Sequence, residues 1–298
     1  MKKSFVFMLG LAVLASCSQD DAANNESQTD KPVKIELGAG VNTLTRAVIE
    51  QDSKFTAGVA GWESKETADY SNAYKWYTTT SEISASASNT SIKLTTPQYY
   101  NADNSIKTYM KAWYPAGEVK EGKVTFTNTD GSVDAMLATA INGSKNDATG
   151  KNFTFKHMTT QLKFEVKAGE GLANDTKIKS IKVKGVTLPT GFDLTTDAVT
   201  WDTATKDLSA GVKEAVITSE AKAAGTPVMI KPFTGKTVKL DIETSNATFT
   251  DVTATIDGNS NFEAGKAYTI TLTFKQKSVA LSATVTAWNT GTGTGDVE

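Results

Sequence analysis

Residues 31–46 read KPVKIELGAGVNTLTR. Val33, Ile35, Leu37, Ala39 and Val41 hold the odd positions, and Lys34, Glu36, Gly38, Gly40 and Asn42 stand between them. This alternation is the period-two signature of a β-strand with one face toward a core and the other toward water. Burying a Val, Ile or Leu side chain is worth roughly 1.5–3 kcal/mol, so the large residues of that face represent about 6–12 kcal/mol gross. That is on the scale of the roughly 5–15 kcal/mol net stability of a whole domain. A chain deprived of this strand would keep a groove needing a replacement. The stretch ends on Arg46, the single arginine; the other 30 of the 31 basic residues are lysines. An arginine-specific protease therefore meets one permitted cut. Arg46 is either an ordinary surface residue of a lysine-rich protein or a processing site at the border of a detachable strand.

Before this stretch, Lys2 and Lys3 precede an apolar run from Phe5 to Ala15, and Leu14-Ala15-Ser16 leads into Cys17. A basic start, a short apolar stretch and small residues make a secretory signal that is removed from the mature protein. The small residues directly before a cysteine resemble the lipobox of bacterial lipoproteins, which implies lipid attachment at Cys17. Residues 18–30 are polar, with acid at Asp20 and Asp21, and read as a disordered tether. Acidic residues after the lipid resemble the export signals of surface-exposed lipoproteins. Cys17 is the only cysteine, which excludes an intramolecular disulfide and a thiolate metal cluster. No other apolar run approaches the roughly 18 residues that a membrane span requires.

After the stretch, Gly, Ser, Thr, Asn and Asp recur between short alternating segments, the pattern of an all-β sandwich. Strands are expected over 106–113, 123–128, 161–167, 180–186, 237–242, 268–274 and 279–287, each with one apolar face, which suits antiparallel sheets wetted on one side. The last, with Val279, Leu281, Ala283, Val285 and Ala287 at odd positions, matches residues 33–41 in length and period. A body of about 250 residues exceeds the usual ~100–150 of one domain, and the boundary is expected near residues 150–160, where the strand pattern resumes after the polar loop 142–152. The expected organisation is a signal peptide over 1–16, a lipidated tether and removable first strand over 17–46, and sandwich domains over 47–155 and 156–298. The net charge is −2 and the lysines are scattered, which argues against nucleic acid as a partner.

Catalytic signals are sparse. His157 is the only histidine, no G-x-S-x-G turn occurs, and apolar neighbours give His157 a structural reading. Asp130 and Asp134 could pair for glycoside hydrolysis, but Asp130-Gly131 after an alternating strand is a turn signal. Asp257 to Glu263 carries oxygen ligands without calcium-loop spacing and reads as a hairpin turn. No metal, cofactor or catalytic residue is expected. Trp62, Tyr70, Tyr74, Trp76 and Tyr77 could stack on sugars or pack between strands.

These residues together resemble the fimbrillin family, the lipoprotein pilins of anaerobic Gram-negative bacteria. The resemblance rests on the lipobox ending at Cys17, the strand closed by Arg46, Ala112-Trp113-Tyr114-Pro115 and Asp134 to Ala138. It extends through Phe155 to Phe164, Phe262 to Tyr268 and the terminal strand before Trp288. It implies two transthyretin-like β-sandwich domains in tandem and an exported, outer-membrane lipid-anchored precursor. It also implies cleavage between Arg46 and Ala47 by an arginine-specific protease. The opened groove would then accept a strand from another pilin subunit, with Val279 to Ala287 as candidate donor, giving a surface fimbrium without enzymatic activity that serves adhesion. Main-chain pairing supplies affinity in such strand addition, and alternate side chains fill pockets. The alternative expectation is a surface glycan-binding lipoprotein using the 62–77 aromatics.

Overall fold

The computed structural model describes residues 31–42, 53–86, 88–127, 130–256, 261–276 and 278–287. The chain divides into two units, Met1–Lys31 and Pro32–Glu298, and the strands all lie in the second. Every regular element among the described residues is a β-strand, so the fold class is all-β as the alternation predicts. Six of the expected strands form with small shifts at their ends, Lys107–Tyr114, Thr160–Ala168, Lys177–Val186, Thr237–Thr244, Lys266–Lys275 and Ser278–Ala287, and the one expected over 123–128 is shorter, Lys123–Thr125.

The largest sheet runs Trp76–Thr79, Gly58–Ser64, Lys107–Tyr114, Met136–Ala138, Asn152–His157, Leu37–Val41, Thr90–Ile92, with Ile141–Gly143 also pairing on Lys107–Tyr114. Unlike the one-sided sheet that the sequence pattern suggests, its centre is covered on both faces. On one face Met110, Ala112, Met136, Ala138, Phe153 and Phe155 share a core with Leu37 and its neighbours. On the other, Ala60, Trp62, Trp113 and Leu137 pack against Val119, Val124, Phe192 and Leu194. Two-sided cover explains why Met136, Leu137 and Ala138 are consecutive buried apolar residues instead of an alternating set.

The layer over that second face is a four-stranded sheet in the order Ala198–Trp201, Pro189–Asp193, Lys123–Thr125, Glu118–Lys120. Its two halves come from opposite sides of residue 155, so strand pairing joins the two parts of the chain. Gly191 lies across from Thr125, where a Cβ would fall 1.8 Å from the Val124 carbonyl oxygen; only glycine permits this approach. Lys111, 2% exposed, reaches the same region. Its Nζ donates to the Leu194 carbonyl at 2.5 Å and to the Asp197 carboxylate, and it lies 4.0 Å from the centre of the Tyr70 ring.

The C-terminal part is a sandwich of two five-stranded sheets. One runs Lys222–Ala223, Thr160–Ala168, Lys266–Lys275, Ser278–Ala287, with Val228–Ile230 also on Thr160–Ala168. The other runs Lys206–Ser209, Lys177–Val186, Thr237–Thr244, Thr248–Thr255, with Ala215–Val216 also on Lys177–Val186. Leu162, Phe164, Ile270 and Leu272 from the first meet Ile181, Val183, Leu240 and Ile242 from the second. Alternation along each strand sends these residues to the inner faces.

Candidate functional site

The strand Leu37–Val41 is internal to its sheet. It pairs in parallel with Asn152–His157, Gly38 opposite Asn152 and Val41 opposite Phe155, and antiparallel with Thr90–Ile92, Leu37 opposite Ile92. Gly38 N donates to Lys151 O at 2.9 Å, Val41 N to Ser86 O at 2.8 Å and Asn42 N to Phe155 O at 2.8 Å. Upstream, Ile35 N donates to Gln98 O and Tyr100 N to Val33 O, both at 2.9 Å. The chain is thus stitched along both edges from Leu37 to Asn42, and upstream, from Val33 to Ile35, to residues 98–100.

Ile35, Leu37, Ala39 and Val41 are each no more than 4% exposed, and Val33 packs partly buried against the same core. Phe55, Ile92, Tyr100, Phe153 and Phe155 belong to that core, and Phe55 meets Phe155 edge to face with ring centres 5.4 Å apart. Sequence reasoning placed Gly38 and Gly40 toward water, yet both are buried. A Cβ on Gly38 would stand 2.0 Å from Asn152 Oδ1 and 3.3 Å from Thr90 O, so the Asn152 side chain lies over the space that the missing Cβ leaves. Tyr100 borders the groove, its phenol pushed up to about 12 by burial and, secondarily, by the Asp147 charge. Asn152 and Tyr100 carry no motif in the sequence; the register of a parallel pair identifies Asn152, and an antiparallel bridge between Lys34 and Tyr99 places Tyr100.

The candidate donor strand Ser278–Ala287 lies in another sheet, paired antiparallel along its whole length with Lys266–Lys275. Val279 packs against the C-terminal core; the side chains of Leu281, Ala283, Val285 and Ala287 lie outside the described residues, as do Cys17, Arg46, Ala47 and the 257–260 turn.

The other candidate chemistry is used internally. Asp134 and His157 are buried, with Asp134 Oδ2 and His157 Nδ1 2.9 Å apart, and Thr159 Oγ1 donates to Asp134 Oδ1 at 3.3 Å. Asp130 does not face Asp134 across a cleft: its Oδ1 accepts from the Ser132 backbone N–H at 2.9 Å, the Asx turn that Asp-Gly predicts. Among the described residues no group of three His, Cys, Asp or Glu is placed to hold a metal ion. Of the aromatics, Trp62 meets Tyr70 edge to face at 5.1 Å and gives its indole N–H to Asn72 O, while Tyr77 stacks on Trp113 at 5.9 Å. Only Tyr74 among them is as much as 37% exposed. A cavity of about 360 Å³ lies beside Trp62, Asp69 and Tyr74.

The fold recurs in known proteins. A family model described as fimbrillin-like matches residues 45–288. A Bacteroides uniformis protein named as a fimbrium subunit, Fim1C, is 25% identical, with 99% of this chain and 98% of that protein covered. A crystal structure from Bacteroides uniformis described as a cell adhesion protein superposes with TM-score 0.60 at 18% identity, covering 88% of this chain and 99% of the other. A second, from Bacteroides ovatus and described in the same terms, gives TM-score 0.56 at 16% identity, covering 90% and 100%. At these identities the two structures speak to the fold alone. The family match extends over most of the chain, and the chain belongs to the fimbrillin-like family.

Proposed function

We propose that this protein is a structural subunit of a surface fimbrium, exported as a precursor lipidated at Cys17 and held at the outer membrane by that lipid. An arginine-specific protease cuts between Arg46 and Ala47 and releases the strand that fills the groove. The body then comprises a sandwich over 47–155 and another over 156–298, joined by the four-stranded sheet to which 118–125 and 189–201 both contribute. A strand from another copy replaces the lost one, and the polymer serves adhesion. The donor is the C-terminal strand, Val279 to Ala287, which leaves its place beside Lys266–Lys275 to act.

One observation carries the reading: Leu37–Val41 is an interior strand whose apolar side chains complete a core, while both its neighbours belong to parts of the chain downstream of Arg46. Its removal opens a slot with hydrogen-bonding edges on both sides and an apolar floor that includes Phe153 and Phe155. Unpaired strand edges and bare apolar surface are a template for strand addition. The test is to treat purified precursor with an arginine-specific protease. The expected result is a new N-terminus at Ala47 and a ladder of polymers, both abolished in Arg46→Ala. Polymerisation of Arg46→Ala at the wild-type rate would overturn the processing step.

A further inference from the structure

Residues 35–41 read IELGAGV and residues 279–285 read VALSATV. With Val279 set on Ile35, three inward positions are identical: Leu37 and Leu281, Ala39 and Ala283, Val41 and Val285. The fourth pair, Ile35 and Val279, differs by one methylene. Resting on the donor-strand reading above, we propose a defined register for the exchange. The C-terminal strand of a second copy enters with the polarity of Leu37–Val41, parallel to Asn152–His157 and antiparallel to Thr90–Ile92. Leu281 takes the place of Leu37, Ala283 that of Ala39, and the Asn152 side chain turns aside to admit Ser282 where Gly38 stood.

Side-chain volume selects this alignment. A parallel slip of two residues in one direction puts Ala283 in the space of Leu37; the opposite slip puts Leu281 in the space of Ala39, which is 1% exposed and lies across from Phe153. Reversed polarity, in every alignment that keeps apolar residues inward, puts an alanine in the space of Ile35 or Leu37. Voids and overfilled sites both destabilise a packed core, so only one alignment keeps the inward face free of a leucine-sized void and of an overfilled site.

The outer face adds a second selection. Gly38 leaves the Asn152 amide room over the strand, and a serine there meets Asn152 Oδ1. That oxygen is the end of a side chain whose Nδ2 makes an exposed 3.2 Å bond to Gly150 O, so it can swing outward. Asn152 is therefore a positioning residue that favours the resident strand over the incoming one.

The experiment uses full-length precursors carrying Cys17→Ser. One carries Ser91→Cys, since Ser91 stands opposite Gly38; its partner carries Ala280→Cys, Ser282→Cys or Thr284→Cys. The two are mixed, cut with an arginine-specific protease and oxidised in air. Directly opposed Cβ atoms lie roughly 4.5–5.5 Å apart and diagonal ones roughly 7–8 Å, so the 91–282 pair alone is within disulfide reach in the proposed register. The 91–282 link should exceed the others by roughly thirtyfold or more, the discrimination expected when a slip leaves a leucine-sized space filled by alanine. Asn152→Ala should shorten the lag before polymers appear. A ladder in which the 91–280 or 91–284 link dominates, or all three are equal, overturns the register and leaves donor-strand exchange standing. Absence of any polymer overturns both.

Discussion

Leu37→Ala tests whether the first strand is a working part of the core. Leu37 is 4% exposed and packs within a cluster that includes Ile92, Phe153 and Phe155. The backbone cannot slide to close the gap, because Gly38 N is bonded to Lys151 O and Leu37 is in register with Ile92. Removing three buried carbons from such a site costs about 2–5 kcal/mol, the lost transfer energy plus the void left behind. A chain of this size loses about 2–4 °C of melting midpoint per kcal/mol, so the midpoint of uncut precursor should fall by roughly 4–20 °C. Glu36→Ala, one residue away on the exposed side, should stay within about 0.5 kcal/mol of wild type. Scanning calorimetry of the three precursors reads both effects. After cleavage at Arg46, Leu37→Ala should also release its first strand sooner and begin polymerising earlier. A midpoint within about 1 °C of wild type would refute the reasoning, since a leucine holding a core together cannot be cut to a methyl group without cost.

Gly191→Ala should destabilise by more than about 1–3 kcal/mol, because the new methyl group would collide with the Val124 carbonyl in the strand pair joining the two parts of the chain; a urea midpoint equal to wild type would show that the strands can part there freely. Lys111→Ala strips hydrogen bonds to Leu194 O and Asp197, each worth roughly 1.5–3 kcal/mol when charged, and should lower the urea midpoint more than Lys111→Met, which keeps the stem packing. Tyr100→Phe tests pH dependence. Burial raises the phenol from the usual 10.0 to about 12, so its share of stability is complete below pH 10.0 and is lost as pH rises through about 12. Wild type should lose stability faster than Tyr100→Phe across that window and match its trend at neutral pH; parallel curves throughout would show that the phenol is not held in its neutral form.

Much of the architecture was legible from residue order. Leu162-Phe164-Val166 and Tyr268-Ile270-Leu272-Phe274 alternate because each strand buries one face, and both lie in the C-terminal core. The weak point was the large sheet. The strand expected over 106–113 with one apolar face forms as Lys107–Tyr114 but buries Met110, Lys111, Ala112 and Trp113 in succession, because both its faces are covered. Gly58–Ser64 stood out for its tryptophan and not as a strand, for the same reason. At the site, the odd residues from Val33 to Val41 announced themselves, whereas Asn152 and Tyr100 did not: Asn152 lies over Gly38 through a register between residues more than a hundred positions apart, and Tyr100 joins the core through a bridge to the Val33–Lys34 segment.

What the sequence determined by itself was local: which segments extend, which side of each is apolar, and where a single arginine stands. Those properties follow from alternation and composition, which need no partner strand. What the tertiary structure decided was relational: that Leu37–Val41 sits between two strands instead of at an edge, that a glycine there makes room for Asn152, and that strands from both parts of the chain share one sheet. These depend on hydrogen-bond pairing between distant segments, and a pairing is a property of two stretches of chain that neither encodes alone.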